Sequence, residues 1–489
     1  MKKKQIVWMS VLLVLFMALA LSASFVITQG LQSNGKKEVD TVKTFAEWTD
    51  DELFAKIPAM ETKGVKVGGV RDAGAKNYIL EINGADKKAY EDYLTLLQNE
   101  GYEILVDNGE EGIDGAVFTT NLRKDDIDLA VVHMKKLDLT YVIATEERFV
   151  SKYLTYDEDA VKNLDPNAKT KLHMPELYDF GNSFVFELKN GHFIVNDGGT
   201  DVDLIYLIEY LESLVPEGEK PIIDCWVISH AHWDHCGVFL DLLAHPAWGD
   251  RFYVEELMFS EPNMQVLIEW NTSERVRNIE YARHALKTTE GKKTPIVRPI
   301  MGQKYYYCDV EMEVMLSQEF LDPEDYSEDF NDSSTWLMYN LDGQKALLGG
   351  DGDFSGMQII MRTYDSSYFK LDVFTNLHHA INVFDVFTDF CEFKTVLVPF
   401  YDNYGDYPKV LVNGTKKMAE ITVKANEHLK AASDELMTGY GGTLVLTFPY
   451  VVGTAERLAP NTWAHHGGVK KESQYARWYR IYTENGYTE

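Results

Sequence analysis

The feature that most constrains this chain is a cluster of metal-binding side chains placed directly after a strand-like apolar run. The run Ile222–Ile228 is followed by His230, His232, Asp234 and His235. In an extended loop alternate residues point the same way, so the first two histidines share one side while the aspartate and the third histidine turn to the other. Neutral imidazole and carboxylate oxygen are ligands that zinc and related ions accept. The segment therefore predicts ligands for two adjacent metal positions.

The order of elements around this cluster recurs in the second half of the chain. Each copy has a predicted β-hairpin, an aspartate, a helix, a strand and then histidine. The first copy has strands at 184–188 and 192–196, Asp197, a helix at 202–214, and the strand before His230. The second copy has strands at 335–341 and 345–348, Asp351, a helix at 355–364, a strand at 371–376, and the pair His378 and His379. Two such halves facing each other would bring both histidine loops to one cleft.

The spacing HxHxDH, with Asp351 and the His-His pair, resembles that of the metallo-β-lactamase-like hydrolases. This resemblance implies an α/β fold, an αββα sandwich, that holds one or two Zn²⁺ ions, with Mn²⁺ or Fe as alternatives, and activates water. It implies that His230 and His232 bind the first metal and that Asp234 and His235 bind the second. Asp351 would bridge the two, and Asp197 would orient the histidine loop without binding metal.

The resemblance leaves the division of labour between His378 and His379 open. One of them would bind the second metal, and the other would face the substrate and stabilise the leaving group. Asp234 could receive or pass on a proton. We name Asp234 and His379 as the candidate catalytic residues.

One expected ligand is missing from the pattern. Many relatives carry a further histidine for the first metal shortly before the bridging aspartate, but residues 315–318 read MLSQ. The histidines between the two motifs are His245 and His284, and we expect neither to bind metal. The first metal would then have two histidines, Asp351 and solvent, and would be weakly held or absent. The missing histidine and the run 331–337 together form a pattern that resembles the extracellular domain of ComEC-type competence proteins. This resemblance covers roughly residues 180 to 400.

The amino terminus predicts a membrane anchor. Three lysines precede an apolar run at 6–27, whose 22 residues can span a bilayer as a helix. We expect a transmembrane signal-anchor at 1–28, a linker at 29–40, a small α+β domain at 41–150 and the hydrolase domain at 151–489. The chain would then be a single-pass membrane protein with its catalytic domain outside the cell. A signal peptide cleaved near the small residues at 21–24, giving a secreted protein, is the alternative.

Charge and cysteine content narrow the function further. The formal net charge of −30 disfavours a nucleic-acid partner, and four cysteines do not make a disulfide framework. The sequence predicts a metal-dependent hydrolase acting on a phosphoester or related ester, either a small molecule or a cell-envelope component. Two alternatives remain: a non-catalytic surface-binding protein with a degenerate metal site, and an extracellular nuclease, which would need a basic groove.

Overall fold

The computed structural model describes nine stretches of the chain. These are residues 52–74, 76–146, 151–177, 181–261, 273–320, 330–380, 385–399, 427–439 and 441–459. Within these stretches no helix is both long enough and apolar enough to cross a bilayer. The predicted anchor at 1–28 and linker at 29–40 lie outside the described residues and stay predictions.

The first described sheet is antiparallel and has six strands. They are β1 Lys66–Gly74, β2 Asn77–Asn83, β3 Glu103–Asp107, β4 Val117–Lys124, β5 Ile127–Met134 and β6 Leu139–Thr145, in the order β1-β2-β6-β5-β4-β3. Helix α1, Lys87–Asn99, covers one face with a buried tyrosine and leucine stripe, and the Asp86 side chain caps it by accepting from the Ala89 backbone N–H. We call this the N-terminal sheet.

Two further sheets form a sandwich. The first sandwich sheet has the order β13-β12-β10-β9-β8-β7-β21-β22, with β11 beside β10. Its strands are β7 Lys171–Met174, β8 Ser183–Glu187, β9 Phe193–Asp197, β10 Ile222–Ile228, β11 Tyr253–Val254, β12 Leu257–Phe259, β13 Ile296–Val297, β21 Leu444–Thr447 and β22 Glu456–Arg457. The second sandwich sheet runs β14 Lys304–Tyr307, β15 Val310–Leu316, β16 Trp336–Leu341, β17 Gln344–Leu348, β18 Lys370–Thr375, β19 Glu392–Val398 and β20 Glu435–Thr438.

The core lies between these two sheets, and helices cover their outer faces. Buried side chains from both sheets form one cluster, in which Phe186 of β8 stacks on Tyr339 of β16 with ring centroids 4.2 Å apart. Helices pack on the outer face of the first sheet: α3 Leu204–Ser213, α5 Val238–Ala244 and α6 Ser273–Ala282. Helices α7 Phe354–Thr363 and α8 Asp385–Phe390 pack on the second. The chain is therefore a mixed α/β protein with helical layers outside two sheets. The short helix α2, Glu158–Lys162, precedes β7.

The N-terminal sheet shares a core with the outer face of the second sandwich sheet. A buried ion pair reinforces this contact, because Arg298 binds Glu319 and also donates to the backbone carbonyls of Ala73 and Gly74 at the end of β1. The domain boundary predicted at residue 150 stays a prediction.

The topology explains where the predicted ligands meet. Strands β9 and β10 are parallel neighbours, and so are β17 and β18. The carboxyl ends of parallel strands lie at one edge of a sheet, which is where ligands usually bind in such folds. The two edges are joined by a hydrogen bond of 2.9 Å from the Thr335 backbone N–H to the Ser229 carbonyl. The site thus forms at a seam between the two halves.

Candidate metal centre

Four of the predicted ligands come together as one buried group. Donor atoms of Asp234, His235, Asp351 and His379 all lie within 4.8 Å of one another. His235 Nε2 is 3.0 Å from Asp351 Oδ1, and His379 Nε2 is 3.2 Å from Asp234 Oδ2 and 3.7 Å from Asp351 Oδ1. This group corresponds to the second metal position. We call it the inner group.

Two more histidines form a second group around the same aspartate. His230, His232 and Asp351 place donor atoms within 4.8 Å of one another. His230 Nε2 is 2.9 Å from His232 Nδ1 and 3.9 Å from Asp351 Oδ2. We call this the outer group, because His232 is only partly buried. One carboxylate oxygen of Asp351 faces each group, which is the geometry expected of a bridging ligand.

The local fold separates the two halves of the histidine motif. His232 is still extended, with φ −79° and ψ 151°, and the short helix α4, Trp233–Cys236, begins after it. Asp234 and His235 lie on this helical turn, which agrees with the expectation that they turn to the other side from the first two histidines. The turn places both side chains in the inner group, with the His235 ring centroid 4.2 Å from that of His230.

Asp197 lies where it can orient His235. Its Oδ2 is 2.7 Å from His235 Nδ1, and its Oδ1 accepts from the Ser229 backbone N–H at 2.8 Å. Ser229 Oγ and Asn182 Nδ2 also donate to Oδ2, at 2.9 and 3.0 Å. This set of donors fixes the carboxylate, which fixes the imidazole and leaves Nε2 directed at Asp351.

Sequence reasoning missed Ser229 and Asn182. Ser229 Oγ is 3.0 Å from His230 Nδ1 as well as bound to Asp197, so it links both groups. Its position directly before the first histidine was the available signal. Asn182 lies 53 residues before His235 in the chain, and its sequence surroundings hold no comparable signal.

The backbone at the His-His pair is left-handed at both residues. His378 has φ 47° and His379 has φ 50°. This conformation costs about 1–3 kcal/mol for a residue other than glycine and is typical of functional sites. The His378 N–H donates to the Gly350 carbonyl at 3.2 Å, and His379 Nδ1 lies 3.0 Å from the Pro399 carbonyl. His379 is thereby aimed through Nε2 into the inner group.

Glycines flank Asp351 because larger residues would not fit. Gly350 has φ +54°, and a Cβ there would meet Ser229 Cβ at 2.8 Å. A Cβ on Gly352 would meet Trp336 Nε1 at 2.3 Å. Because neither glycine has a side chain, the turn that carries Asp351 can pack closely against Ser229 and the Trp336 indole ring.

The electrostatics of the inner group favour a cation. Burial alone would lower the pKa of His235, but the carboxylates of Asp351 and Asp197 raise it well above its usual range. Burial would raise the pKa of Asp351, yet the neighbouring histidines His235, His379 and His378 hold it well below its usual range. Because these carboxylates are charged, the field that holds a proton on His235 would equally attract a metal ion.

The outer group is electrostatically different. Burial, aided by the charges of His235 and His232, lowers the pKa of His230 well below its usual range. Burial also lowers the pKa of His232. Both rings are therefore neutral at pH 7, as metal binding requires.

The donor set fits a zinc-like ion. His235 Nε2 and Asp351 Oδ1 are buried, and neither makes a hydrogen bond within the described part of the chain, although they are 3.0 Å apart. Two facing atoms of this kind are what a shared cation would satisfy. Imidazole nitrogen and carboxylate oxygen together suit zinc, with manganese and iron as alternatives.

Three further histidines and one cysteine belong to neither group. His245 stacks on Trp248 with ring centroids 4.2 Å apart, and His284 is exposed beside Lys293. Cys236 is close in sequence, but burial raises the pKa of its thiol to about 12, so it is not a thiolate at neutral pH. His133 is buried in the N-terminal sheet against Thr140.

Comparison with known proteins agrees with this site. Residues 178–300, which contain the histidine motif, match the model of the metallo-beta-lactamase superfamily. No curated protein sequence is significantly similar to the chain. The recognition of that superfamily is confirmed, whereas a closer likeness to ComEC-type proteins is not.

Solved structures similar to the chain include a metallo-β-lactamase and a zinc-bound protein. One is a metallo-β-lactamase from Cronobacter sakazakii described by its HARLDQ motif, with 13% identity over 51% of this chain and 86% of that one, at a TM-score of 0.25. The other is Zn²⁺-bound PqqB from Methylobacterium extorquens, with 8% identity over 54% of this chain and 86% of that one, at a TM-score of 0.30. These overlays are too loose to bear on the site.

Proposed function

We propose that this chain, whose residues 178–300 carry the metallo-β-lactamase superfamily signature, is a metal-dependent hydrolase. The observation that carries the proposal is the position of Asp351, whose two carboxylate oxygens face two separate groups of histidine-containing ligands. A structural metal site needs a closed set of ligands around one ion and has no use for a second, partly exposed group beside it.

When bound at these groups, a divalent metal ion would supply Lewis acidity and would lower the pKa of water to about 7. The protein side chains do the remaining work. Asp197 keeps His235 in one orientation, and the carboxylate of Asp234 is close enough to His379 to hold or pass on a proton. His378, whose side chain keeps 18% exposure, lies on the solvent side of the pair.

We propose a phosphoester or related anionic ester as the substrate. Helix α6, which carries Arg275, packs against the helical turn of the histidine motif. Burial lowers the pKa of His232, and the positive charge of Arg275 adds to this lowering. A cation beside the metal positions favours a substrate that carries negative charge. The net charge of −30 favours a small substrate over a long polyanion, which would be repelled by most of the surface.

The test is a substrate screen on the purified, metal-loaded full chain. The substrates are bis-p-nitrophenyl phosphate, p-nitrophenyl phosphorylcholine, a lactone and single-stranded DNA. We expect turnover of a small phosphoester, and at least a ~1000-fold loss of kcat/KM in the double variant His232→Ala, Asp234→Ala, because several kcal/mol of charge stabilisation are removed.

The matched control is His245→Ala, which removes a histidine outside both groups and should keep wild-type activity. Equal activity of the double variant and the wild type would refute the hydrolase proposal. Cleavage of DNA without turnover of small diesters would instead support the nuclease.

We also propose that the catalytic domain lies outside the cell, held by the apolar segment at 6–27. The support is the sequence alone, three lysines followed by a run long enough to span a bilayer. The full chain should sediment with membranes, and a chain lacking residues 1–28 should not. A mature amino terminus near residue 24 would favour the secreted form.

A further inference from the structure

The outer group lacks the third histidine that the sequence pattern led us to expect. At the place where that histidine would precede Asp351, the chain has Ser317 and Gln318, which serve other contacts. The Ser317 hydroxyl accepts from the Met301 backbone N–H, and Gln318 donates to the carbonyls of Ala73 and Glu261. Neither residue can complete the outer group.

We propose that His378 is the third histidine of the outer group, supplied from the opposite half of the sandwich. His378 Nε2 lies 3.9 Å from Asp351 Oδ2, the same distance at which His230 Nε2 lies from that oxygen. The other oxygen, Oδ1, faces His235 and His379 instead. The His-His pair is therefore divided, with one ring for each oxygen of the shared carboxylate.

The distances suit ligands of one ion. Two ligands held about 2.1 Å from an ion at a tetrahedral angle stand about 3.4 Å apart. The two separations of 3.9 Å are within about half an ångström of that value. His378 is not among the residues whose donor atoms all lie within 4.8 Å of one another, so an ion held by His230, His232 and Asp351 has to draw the His378 ring inward to gain it as a ligand.

The backbone accounts for the division of the pair. Consecutive residues in an ordinary turn would not need positive φ, but both His378 and His379 have it. The His378 N–H is tied to the Gly350 carbonyl, next to Asp351, which fixes the first ring beside the outer group. Strain of this kind persists where the surrounding structure requires it, as at ligand sites.

Asn331 supports the role of His378 from behind. The Asn331 residue is buried, and its Nδ2 is 3.3 Å from each ring nitrogen of His378. Nδ2 of an amide is a donor, so it does not accept the second ring N–H of a ligating imidazole. The buried Asn331 side chain instead lies against the ring and limits how far His378 can move while its Nε2 stays toward Asp351.

This inference rests on the proposed function only in needing a metal at Asp351, so its test measures binding and not turnover. The metal-free full chain is titrated with Co²⁺, whose visible absorption reports four-coordinate sites, and with Zn²⁺ by calorimetry. We expect two ions per wild-type chain. In His378→Asn, one of the two should lose at least about 100-fold in affinity, beyond the 10–100-fold typical of a group that merely orients a ligand.

Asparagine is the chosen replacement because it tolerates the left-handed backbone, so the turn should survive. The matched variant His379→Asn should weaken the other ion, and the two variants should differ in which Co²⁺ absorption band is lost. Asn331→Ala should weaken the same ion as His378→Asn, but less. Thermal unfolding of each variant checks that the fold is kept.

Wild-type affinity for both ions in a folded His378→Asn variant would overturn the proposal, and so would a wild-type chain that binds only one ion. Two ions with a selective loss in His378→Asn would support it even if no substrate in the screen were hydrolysed. Failure of the hydrolase proposal is thus separable from failure of this one.

Discussion

Asp197 and Asp351 occupy corresponding places in the two halves of the sandwich and contact the two nitrogens of the same imidazole, His235, yet their other neighbours differ. Each follows a β-hairpin and precedes a helix. The oxygens of Asp197 are taken up by N–H and O–H donors from Ser229, Asn182 and His235. Those of Asp351 face histidine nitrogens on both sides, and Oδ1 receives no hydrogen bond within the described residues. The same scaffold position can therefore hold an orienting carboxylate or a bridging one.

The difference follows from the residues that each aspartate faces. Asp197 meets the end of β10, where backbone and serine donors are available. Asp351 meets the histidine loops from both halves, where ring nitrogens and the Asp234 carboxylate surround it. Both residues are aspartates, so the difference between an orienting and a bridging role comes from the groups that surround each carboxylate.

The largest expected effect comes from removing the charge of Asp351. Asp351→Asn keeps the shape but takes one charge from both groups, so both ions should be lost together and kcat/KM should fall at least ~1000-fold. Metal analysis of the purified variant checks this. Loss of only one ion would mean that Asp351 does not bridge.

A smaller effect is expected at Asp197. Asp197→Asn should weaken metal binding about 10–100-fold through misorientation of His235, without removing a ligand. Titration with Zn²⁺ measures it, and Ser229→Ala should show a weaker form of the same defect. If Asp197→Asn abolished binding as fully as Asp351→Asn does, the distinction between the two aspartates would fail.

The smallest effect concerns Glu256, a buried carboxylate that belongs to neither the inner nor the outer group. Burial raises the pKa of Glu256 from 4.5 to about 7, although the Ser151 and Tyr307 hydroxyls each donate to it at 2.7 Å. The folded chain therefore binds more protons than the unfolded chain between these pH values, and stability falls as pH rises from 4.5 to 7.

Glu256→Gln should remove this pH dependence. The variant should be more stable than the wild type above pH 7, by on the order of 2 kcal/mol, and equal to it near pH 4. Denaturant unfolding at both pH values measures the gain, and metal content should not change. A variant less stable than the wild type at pH 8 would show that the charge is compensated.

Much of this arrangement could be predicted because its determinants are local. Strand β10 has the predicted bounds Ile222–Ile228, and the repeated hairpin, aspartate, helix and strand order is confirmed. The strands β1 and β3, the two edges of the N-terminal sheet, have no clear signal in the sequence. Edge strands bury little on either face and lack clear alternation, and β1 also contains three glycines.

The rest of the site depends on contacts that the sequence does not display. The different positions of the His378 and His379 rings depend on the left-handed backbone at both residues and on the contact of His379 with the Pro399 carbonyl. His379 lies beside Asp234 in the inner group. The predicted catalytic role of His379 stays a prediction. Asn182 comes close to His235 only through the fold, because the two residues are 53 positions apart in the chain.

The central claim, that one carboxylate serves two metal positions, is tested most directly by counting ions. Metal analysis and Co²⁺ titration of the full chain should give two ions per wild-type chain and none in Asp351→Asn, at conditions where both proteins are folded. One ion in the wild type, or an unchanged count in Asp351→Asn, would contradict it.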